Sequence, residues 1–463
     1  METRICSLIA GVAAIIVLPV ARLESAGRWP SLPFVLSGMT AMAVFGVAIG
    51  SGPQELARLR AIGRGVIEAY KKIAVLVLNL VVCFACIELA STGIVKARST
   101  LAAPEEQAVD PRSASSYYVS QSWAPLYWRE FSASRRQRYR PYVLWRRGAF
   151  AGKTINIDDN GVRATPGATC GPQSLKVFVL GGSTVWGTGS PDWGTLPAYL
   201  QTELQRTSGK SACVVNYGES AYVSTQSVLQ LLLQLQSGNV PDLVISYEGP
   251  NDVYSAYQSG KAGAHENLEQ LVASFEGRRA VQRSEIGRFM RSTNLFGLTE
   301  TLLLKVTHPP EEPPKLITYQ TMGVDQNTLT SSVVKTYLGN YEIVDGLARK
   351  FGFDFRFFWP PYVRMGRKRL IPEELEIARR VDAPLDSLYQ SVHRAVAASA
   401  SKHPHLLDIT GVFDDYPDLV WLDDMHVTPT GNQILAAKIT SLLNVSRPST
   451  WSAPVGTNEA FDK

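Results

Sequence analysis

Val177-Phe-Val-Leu-Gly-Gly-Ser-Thr-Val-Trp-Gly187 is the stretch whose reading decides the fold. Residues 177–180 are an unbroken apolar run of β-branched and aromatic type, the pattern of a buried parallel strand. Gly181 and Gly182 then permit a turn that bulkier residues would resist. Ser183 follows, at the carboxyl end of the strand, and Leu196, Leu200 and Leu204 further on have helical spacing. In open α/β sheets ligands bind at that edge. Taken alone, the serine reads equally as a helix cap.

The chain around it repeats strand and helix. Further strands are read at 214–217, 243–247, 355–358 and 406–409, with helices such as 228–235 and 334–350 between them. The alternation predicts an α/β fold, a parallel sheet with helices on both faces. Residues 255–333 break the rhythm with helical pieces at 268–275, 286–290 and 298–304 and a Pro-rich turn at 309–314, and are read as an insertion over the active-site edge, a lid in form.

Three more pieces fall at strand ends. Asn216-Tyr217-Gly218 follows the second strand, Gly249-Pro250-Asn251-Asp252 the third, and Asp423-Asp424-Met425-His426 precedes a helix that Pro429 can start. Gly218 reads as a turn glycine whose N–H faces a ligand. Asn251 reads either as a side-chain donor or as a turn former. Asp252 is expected to hold its loop together rather than do chemistry. Of six histidines, only His426 has a carboxylate three residues before it in such a setting; His265, His308, His393, His403 and His405 carry no motif. A serine needs a base. His426 can take its proton, Asp423 can orient the imidazole, and Ser183 N–H, Gly218 N–H and the Asn251 amide can serve an oxyanion.

Composition bounds the alternatives. The 463 residues suffice for two or three domains, and 45% apolar with 19% charged residues is globular with some membrane enrichment. A net charge of +5 without a long basic run argues against nucleic acid as partner. Five cysteines lack paired CxxC motifs, which argues against a zinc site; no metal and no cofactor is expected.

Residues 1–95 form a predicted membrane domain, with apolar stretches at 5–20, 32–50 and 73–94. The first reads alternatively as a signal peptide. Arg58, Arg60, Arg64, Lys71 and Lys72 lie between the second and third stretches, against Arg22 and Arg28 in the first loop. That bias sets the middle loop inside and carries the rest of the chain out, to the periplasm in a bacterium. Glu88 is an intramembrane carboxylate or, lying near the outer interface, one that reaches water. Residues 96–125 read as a linker. Residues 126–170, rich in aromatics and arginine (Tyr127, Trp128, Tyr139, Tyr142, Trp145, Arg146, Arg147), read as an N-terminal subdomain packing on the sheet or as a sugar or acyl groove. The catalytic domain is placed at 171–446 and a flexible tail at 447–463.

The four blocks Gly181-Gly182-Ser183, Gly218, Gly249-x-Asn251-Asp252 and Asp423-x-x-His426, in this order, resemble the SGNH (GDSL-type) hydrolase family over residues 175–445. The family's first block is usually Gly-Asp-Ser; Gly182 stands in place of that aspartate. The resemblance implies a flavodoxin-like three-layer α/β/α fold with a parallel sheet, and a serine esterase acting on small acyl esters, O-acetyl groups on extracytoplasmic glycans in the first instance. The same machinery serves an O-acyltransferase acting on a cell-surface polysaccharide, and a degenerate copy could be an export scaffold. The overall look is similar to membrane-anchored bacterial members. If the first two strands are parallel neighbours, as in the order 2-1-3-4-5 of related sheets, Cys170 and Cys213 lie at one end and a disulfide becomes possible, the alternative being two free thiols.

Overall fold

A computed structural model describes residues 53–101, 110–209, 211–266, 268, 271–273, 293–299 and 317–443. The stretches 5–20 and 32–50, the parts of the insertion at 267, 269–270, 274–292 and 300–316, which include the expected helix 286–290 and the Pro-rich turn 309–314, and the tail lie outside them. The described chain falls into two compact units.

The smaller unit holds one long helix, α1 (Pro53–Leu101). Within it Arg64–Ala97 is apolar enough to cross a membrane and has none of its most apolar 18-residue window buried. This segment contains the 73–94 stretch and exceeds the roughly 20 residues a bilayer requires. Two backbone N–H groups, of Asn294 and Leu295, donate to Glu88 at 2.6 and 2.9 Å, so this carboxylate is met by protein rather than by water alone.

The larger unit begins at Asp110 with two short 3₁₀ turns (Pro111–Ala114 and Ser116–Ser120), where a linker was expected. It continues with helix α2 (Ala124–Ala133), the antiparallel hairpin of β1 (Gln137–Arg140) and β2 (Leu144–Arg147), and a two-residue pair of β3 (Phe150–Ala151) and β4 (Asn156–Ile157). The sheet proper consists of β5 (Leu175–Gly181), β6 (Ala212–Asn216), β7 (Leu243–Tyr247), β8 (Asp354–Trp359) and β9 (Leu406–Asp408). All are parallel, in the order β6-β5-β7-β8-β9, the 2-1-3-4-5 arrangement. Between them lie α3 (Ser183–Trp186), α4 (Leu196–Ser208), α5 (Ser224–Gln236), α6 (Pro250–Ser259), α7 (Gln326–Phe351), α8 (Pro372–Arg380), α9 (Ala383–Ala398) and, last, α10 (Pro429–Leu442). Residues 250–259 therefore belong to the regular fold, and the interruption begins at Gly260 rather than at 255.

Period-two alternation divides β5 between two cores. Val177 and Val179 pack with Leu200 and Leu204 of α4 and Leu435 and Ile439 of α10. Phe178 and Leu180 face the other way, toward Leu231 of α5, Val333 and Tyr337 of α7 and Leu388 of α9. Helices cover both faces of the sheet, and Ser183 and Asn251 both follow closely on the carboxyl ends of strands, β5 and β7. The cysteines are joined as the strand order allowed: Cys170 and Cys213 form a disulfide with 4.8 Å between Cα atoms.

Candidate active site

Ser183 opens α3, a single helical turn directly after β5. At its first position its N–H has no intrahelical acceptor. His426 and Asp423 come from the tight loop before α10. That loop is closed by Leu422 N–H to His426 O at 2.8 Å and Thr428 N–H to Val420 O at 2.7 Å. Asp423 Oδ1 accepts the backbone N–H groups of Met425 and His426 at 3.0 and 2.7 Å, so the carboxylate shapes the loop that carries the histidine. The three side chains meet in line. Ser183 Oγ lies 2.7 Å from His426 Nε2, and His426 Nδ1 lies 2.7 Å from Asp423 Oδ2. Burial works to raise the Asp423 carboxyl. The charge and hydrogen bond of His426, then Arg112, overcome it and hold the group well below the usual carboxylate range. Asp424 does not touch the imidazole and lines the cavity instead; burial and the neighbouring Asp423 push it up to about 6.

The donors are arranged partly as expected. The Asn251 amide gives one N–H to Tyr222 O at 2.8 Å, which leaves the other free to face the cavity in front of Ser183. A Cβ on Gly182 would stand 2.2 Å from Asn251 Nδ2, so the glycine makes room for this amide. Gly218 does not fit the donor role expected for it. Its N–H donates to Asn216 Oδ1 at 3.0 Å, and the residue does not line the Ser183 cavity. It is glycine for packing reasons, since a Cβ would sit 2.4 Å from Trp186 N. Ala221, three residues on, does line the cavity and has φ +65°, a left-handed conformation that costs an alanine about 1–2 kcal/mol. Its N–H bonds to no other described residue. An alanine gives no sequence signal for such a conformation. Asp252 behaves as expected of a loop tie, accepting from both Ser224 N–H and Ser224 Oγ–H.

Arg112 was absent from the sequence reading. Its Nε and Nη2 donate to Asp110 at 2.8 and 2.7 Å, and Nη1 donates to Asp423 Oδ2 at 3.2 Å, 3.3 Å from His426 Nδ1. One signal was there to be used: Asp110-Pro111 is a helix-start pair, with Asp110 capping and Pro111 in the first turn.

The residues before β5 wrap the serine turn. Trp186 is fully buried between the guanidinium groups of Arg147 and Arg163, 3.7 and 4.2 Å from its ring, and packs with Tyr127 and Phe131. Arg163 also donates to Trp186 O and Gly187 O at 2.9 Å and pairs with Asp192 at 2.8 Å. Of the two readings of 126–170, Tyr127 and its neighbours take the packing one.

The resulting cavity measures about 520 Å³, within the range of small-molecule sites. Arg112, Arg147, Thr188, Ser220, Asn251 and Asp424 are among its walls. Such an arrangement can transfer a proton from the serine hydroxyl to the imidazole and stabilise an anion above the serine. Among the described residues no group of histidine, cysteine and acidic side chains could hold a metal ion.

The chain is similar in structure to the acetyl xylan esterase AlAXEase, at 14% identity over 58% of this chain and 100% of that one, with a TM-score of 0.31. It is also similar to a catalytic mutant of the acetylxylan esterase Axe2 from Geobacillus stearothermophilus (15% identity, 61% and 96% coverage, TM-score 0.31). A third similar structure is a carbohydrate acetylesterase family member from Sinorhizobium meliloti (13% identity, 58% and 97% coverage, TM-score 0.30). Among curated proteins no relative matches. The model of the GDSL-like lipase/acylhydrolase family matches residues 177–439, more than half of the chain, and the chain belongs to this family of ester-bond hydrolases.

Proposed function

We propose that the protein is a serine esterase that removes short acyl groups, O-acetyl in the first instance, from glycans outside the cytoplasm. Ser183 is the nucleophile, His426 the general base and then acid, and Asp423 the residue that fixes the imidazole tautomer and stabilises the imidazolium. Arg112, tied to Asp110, positions Asp423. The N–H groups of Ser183 and Ala221 and the Asn251 amide receive the oxyanion. The reading rests on one observation, the unbroken contact from Ser183 Oγ through His426 to Asp423 at 2.7 Å per step on the carboxyl edge of the sheet. A short acyl group is favoured because the walls next to Ser183 are polar and charged rather than an apolar tunnel.

The location is supported by two independent features. Arg64–Ala97 is a helix able to anchor the chain, and a Cys170–Cys213 disulfide suits an oxidising compartment. Transfer of the acyl group to a sugar hydroxyl is the second reading. What favours it is a neighbouring cavity of about 590 Å³, which shares Arg112, Tyr254 and Asp424 with the first and leaves space for a second substrate.

The test is fluorophosphonate labelling and turnover of a short acyl ester by the full chain in detergent. Both should be lost in Ser183→Ala with the fold intact. Turnover at the wild-type rate in that variant would end the proposal. Product analysis with a glycan added distinguishes water from sugar as acceptor.

A further inference from the structure

The β1–β2 hairpin has more exposed positive charge than the fold requires. Arg135, Arg136 and Arg138 are exposed, and none forms an ion pair with a described residue. By contrast Arg112, Arg163 and Arg364 elsewhere in this unit each pair with a carboxylate at 2.7–2.8 Å. Two tyrosines project from the same hairpin, Tyr139 at 72% and Tyr142 at 73% exposure. Large aromatic rings left in water on one element need a reason beyond packing.

The backbone at the tip is shaped to hold them there. Val143 N–H bonds to Pro141 O at 2.8 Å around Tyr142, whose φ is +67°. Trp145 N–H bonds to Val143 O at 3.0 Å around Leu144, whose φ is +74°. These are two three-residue turns of the strained γ type in succession, centred on bulky residues. Such conformations persist only where the surroundings impose them, and they concentrate at ligand-binding sites. Here the surroundings are the loop that carries Ala221. Trp145 Nε1 donates to Ser220 O at 3.0 Å, Arg147 N–H to Glu219 Oε2 at 2.8 Å, and Gln226 Nε2 to Val143 O at 2.9 Å.

The hairpin also joins two cavities. Arg135, Gln137 and Arg147 line the one that contains Ser183. Arg140, Tyr142 and Arg146 line a second, of about 470 Å³, on the other side.

We propose that this hairpin is a binding ridge for an anionic saccharide chain, which it leads from the second cavity across Tyr142 and the free arginines to Ser183. The inference builds on the glycan-esterase reading and specifies the substrate as acidic. Guanidinium groups pair bidentately with carboxylate or phosphate. Tyrosine supplies a flat face and a hydroxyl at little cost in conformational entropy. A polymer is indicated over a small anion because the charges and rings extend along the hairpin between two cavities. A lipid surface fits less well, since the hairpin leaves no large aliphatic side chain fully exposed: Val143 is buried and Leu144 half-buried.

The experiment measures binding, not turnover. The full chain in detergent micelles is titrated with polygalacturonate oligosaccharides, with neutral dextran oligosaccharides of the same length, and with vesicles containing phosphatidylserine. Polygalacturonate should bind with an affinity that falls as salt is raised. Dextran should bind at least about tenfold more weakly. Three weakened contacts of exposed type should together cost Arg136→Ala/Arg138→Ala/Tyr142→Ala about tenfold in affinity. The charge reversal Arg136→Glu/Arg138→Glu, which leaves both strained turns in place, should cost at least as much. Equal binding of dextran, unchanged affinity in the charge-reversed variant, or a preference for the vesicles over polygalacturonate would overturn the proposal. Because no catalysis enters the readout, loss of the Ser183 hypothesis would leave this test standing, and failure here would leave that hypothesis untouched.

Discussion

Arg112 and Asp110 form an ion pair beside the triad, and removing its partners one at a time gives the sharpest test of the site. Asp110 accepts from Arg112 Nε and Nη2 at 2.8 and 2.7 Å, and Arg112 Nη1 reaches on to Asp423 Oδ2 at 3.2 Å. Arg112→Gln strands Asp110, whose side chain is 7% exposed, and should cost on the order of 3–5 kcal/mol of stability. The double variant Arg112→Gln/Asp110→Asn, with both charges gone, should recover part of that. Loss of Arg112 also takes one charge-assisted contact from Asp423, worth about 1.5 kcal/mol at the lower end, so kcat should fall by about tenfold in Arg112→Gln and in the double variant alike. Asp110→Asn keeps the contact between Arg112 and Asp423 and should lower kcat less. The assay is thermal unfolding, with kcat for a neutral short-chain ester measured in parallel. A double variant no more stable than Arg112→Gln, or an Asp110→Asn variant slower than Arg112→Gln, would refute the reasoning.

The other expectations are simpler. Asp423→Asn should lower kcat by about 10³–10⁴-fold, since the wrong imidazole tautomer is then held, whereas Asp424→Asn should change it by less than about tenfold because Asp424 makes no bond to the ring; steady-state kinetics on the two variants decide it. Ala221→Gly should keep activity and raise stability by about 1 kcal/mol through relief of φ +65°, read by denaturant titration. Asp252 is held up at about 6 by burial, above its ordinary 3.8, so its contribution to stability is full below about pH 3.8 and lost as pH rises through 6. Asp252→Asn should therefore flatten the fall in melting temperature between pH 4 and pH 7. Opening the Cys170–Cys213 bond, which closes a 43-residue separation, should cost about 4 kcal/mol by the loop-entropy relation, and a melting temperature unchanged by reductant would contradict it.

What could be read in the sequence was what short-range patterns encode. β7 matches its expected bounds, 243–247, and β5 and β8 extend theirs by one or two residues at either end, because apolar runs bounded by turn residues leave little choice. The family's Asp-x-x-His spacing selects Asp423 over Asp424, and the structure places Asp423, not its neighbour, against His426. The readings that failed depend on contacts between distant parts of the chain. Arg112 reaches Asp423 across 311 positions, from a stretch whose Ala, Ser and Pro content looked like a linker. The composition was real, but Pro111 and the serines start and cap two short turns there instead of leaving the backbone loose. Gly218 reads as the donor because a glycine at a strand end can take a positive φ, and Ala221 carries no such signal in the sequence. The structure reverses the two: the alanine has the left-handed conformation, and the glycine is present to avoid Trp186.

The departure at Gly182 is accounted for by the same kind of distant contact. A side chain there would have to share space with the Asn251 amide, which stands 2.2 Å from where its Cβ would lie and is already committed to Tyr222 O on one side. Restoring the family's usual aspartate is therefore not a neutral change in this chain. In Gly182→Asp the amide must swing away from the cavity or lose its tie to the Ala221 loop, and either movement withdraws a donor from the oxyanion. Loss of one such donor costs about 10²–10³ in kcat. The fold should be unaffected, because Gly182 lies beyond the last residue of β5 and its φ of −82° is open to any residue. Kinetics on Gly182→Asp and Asn251→Ala, singly and combined, test this directly. If both act through the same amide, the double variant should be no slower than the slower single one. Losses that multiply would mean that Gly182 serves the reaction by some route other than the space it leaves for Asn251.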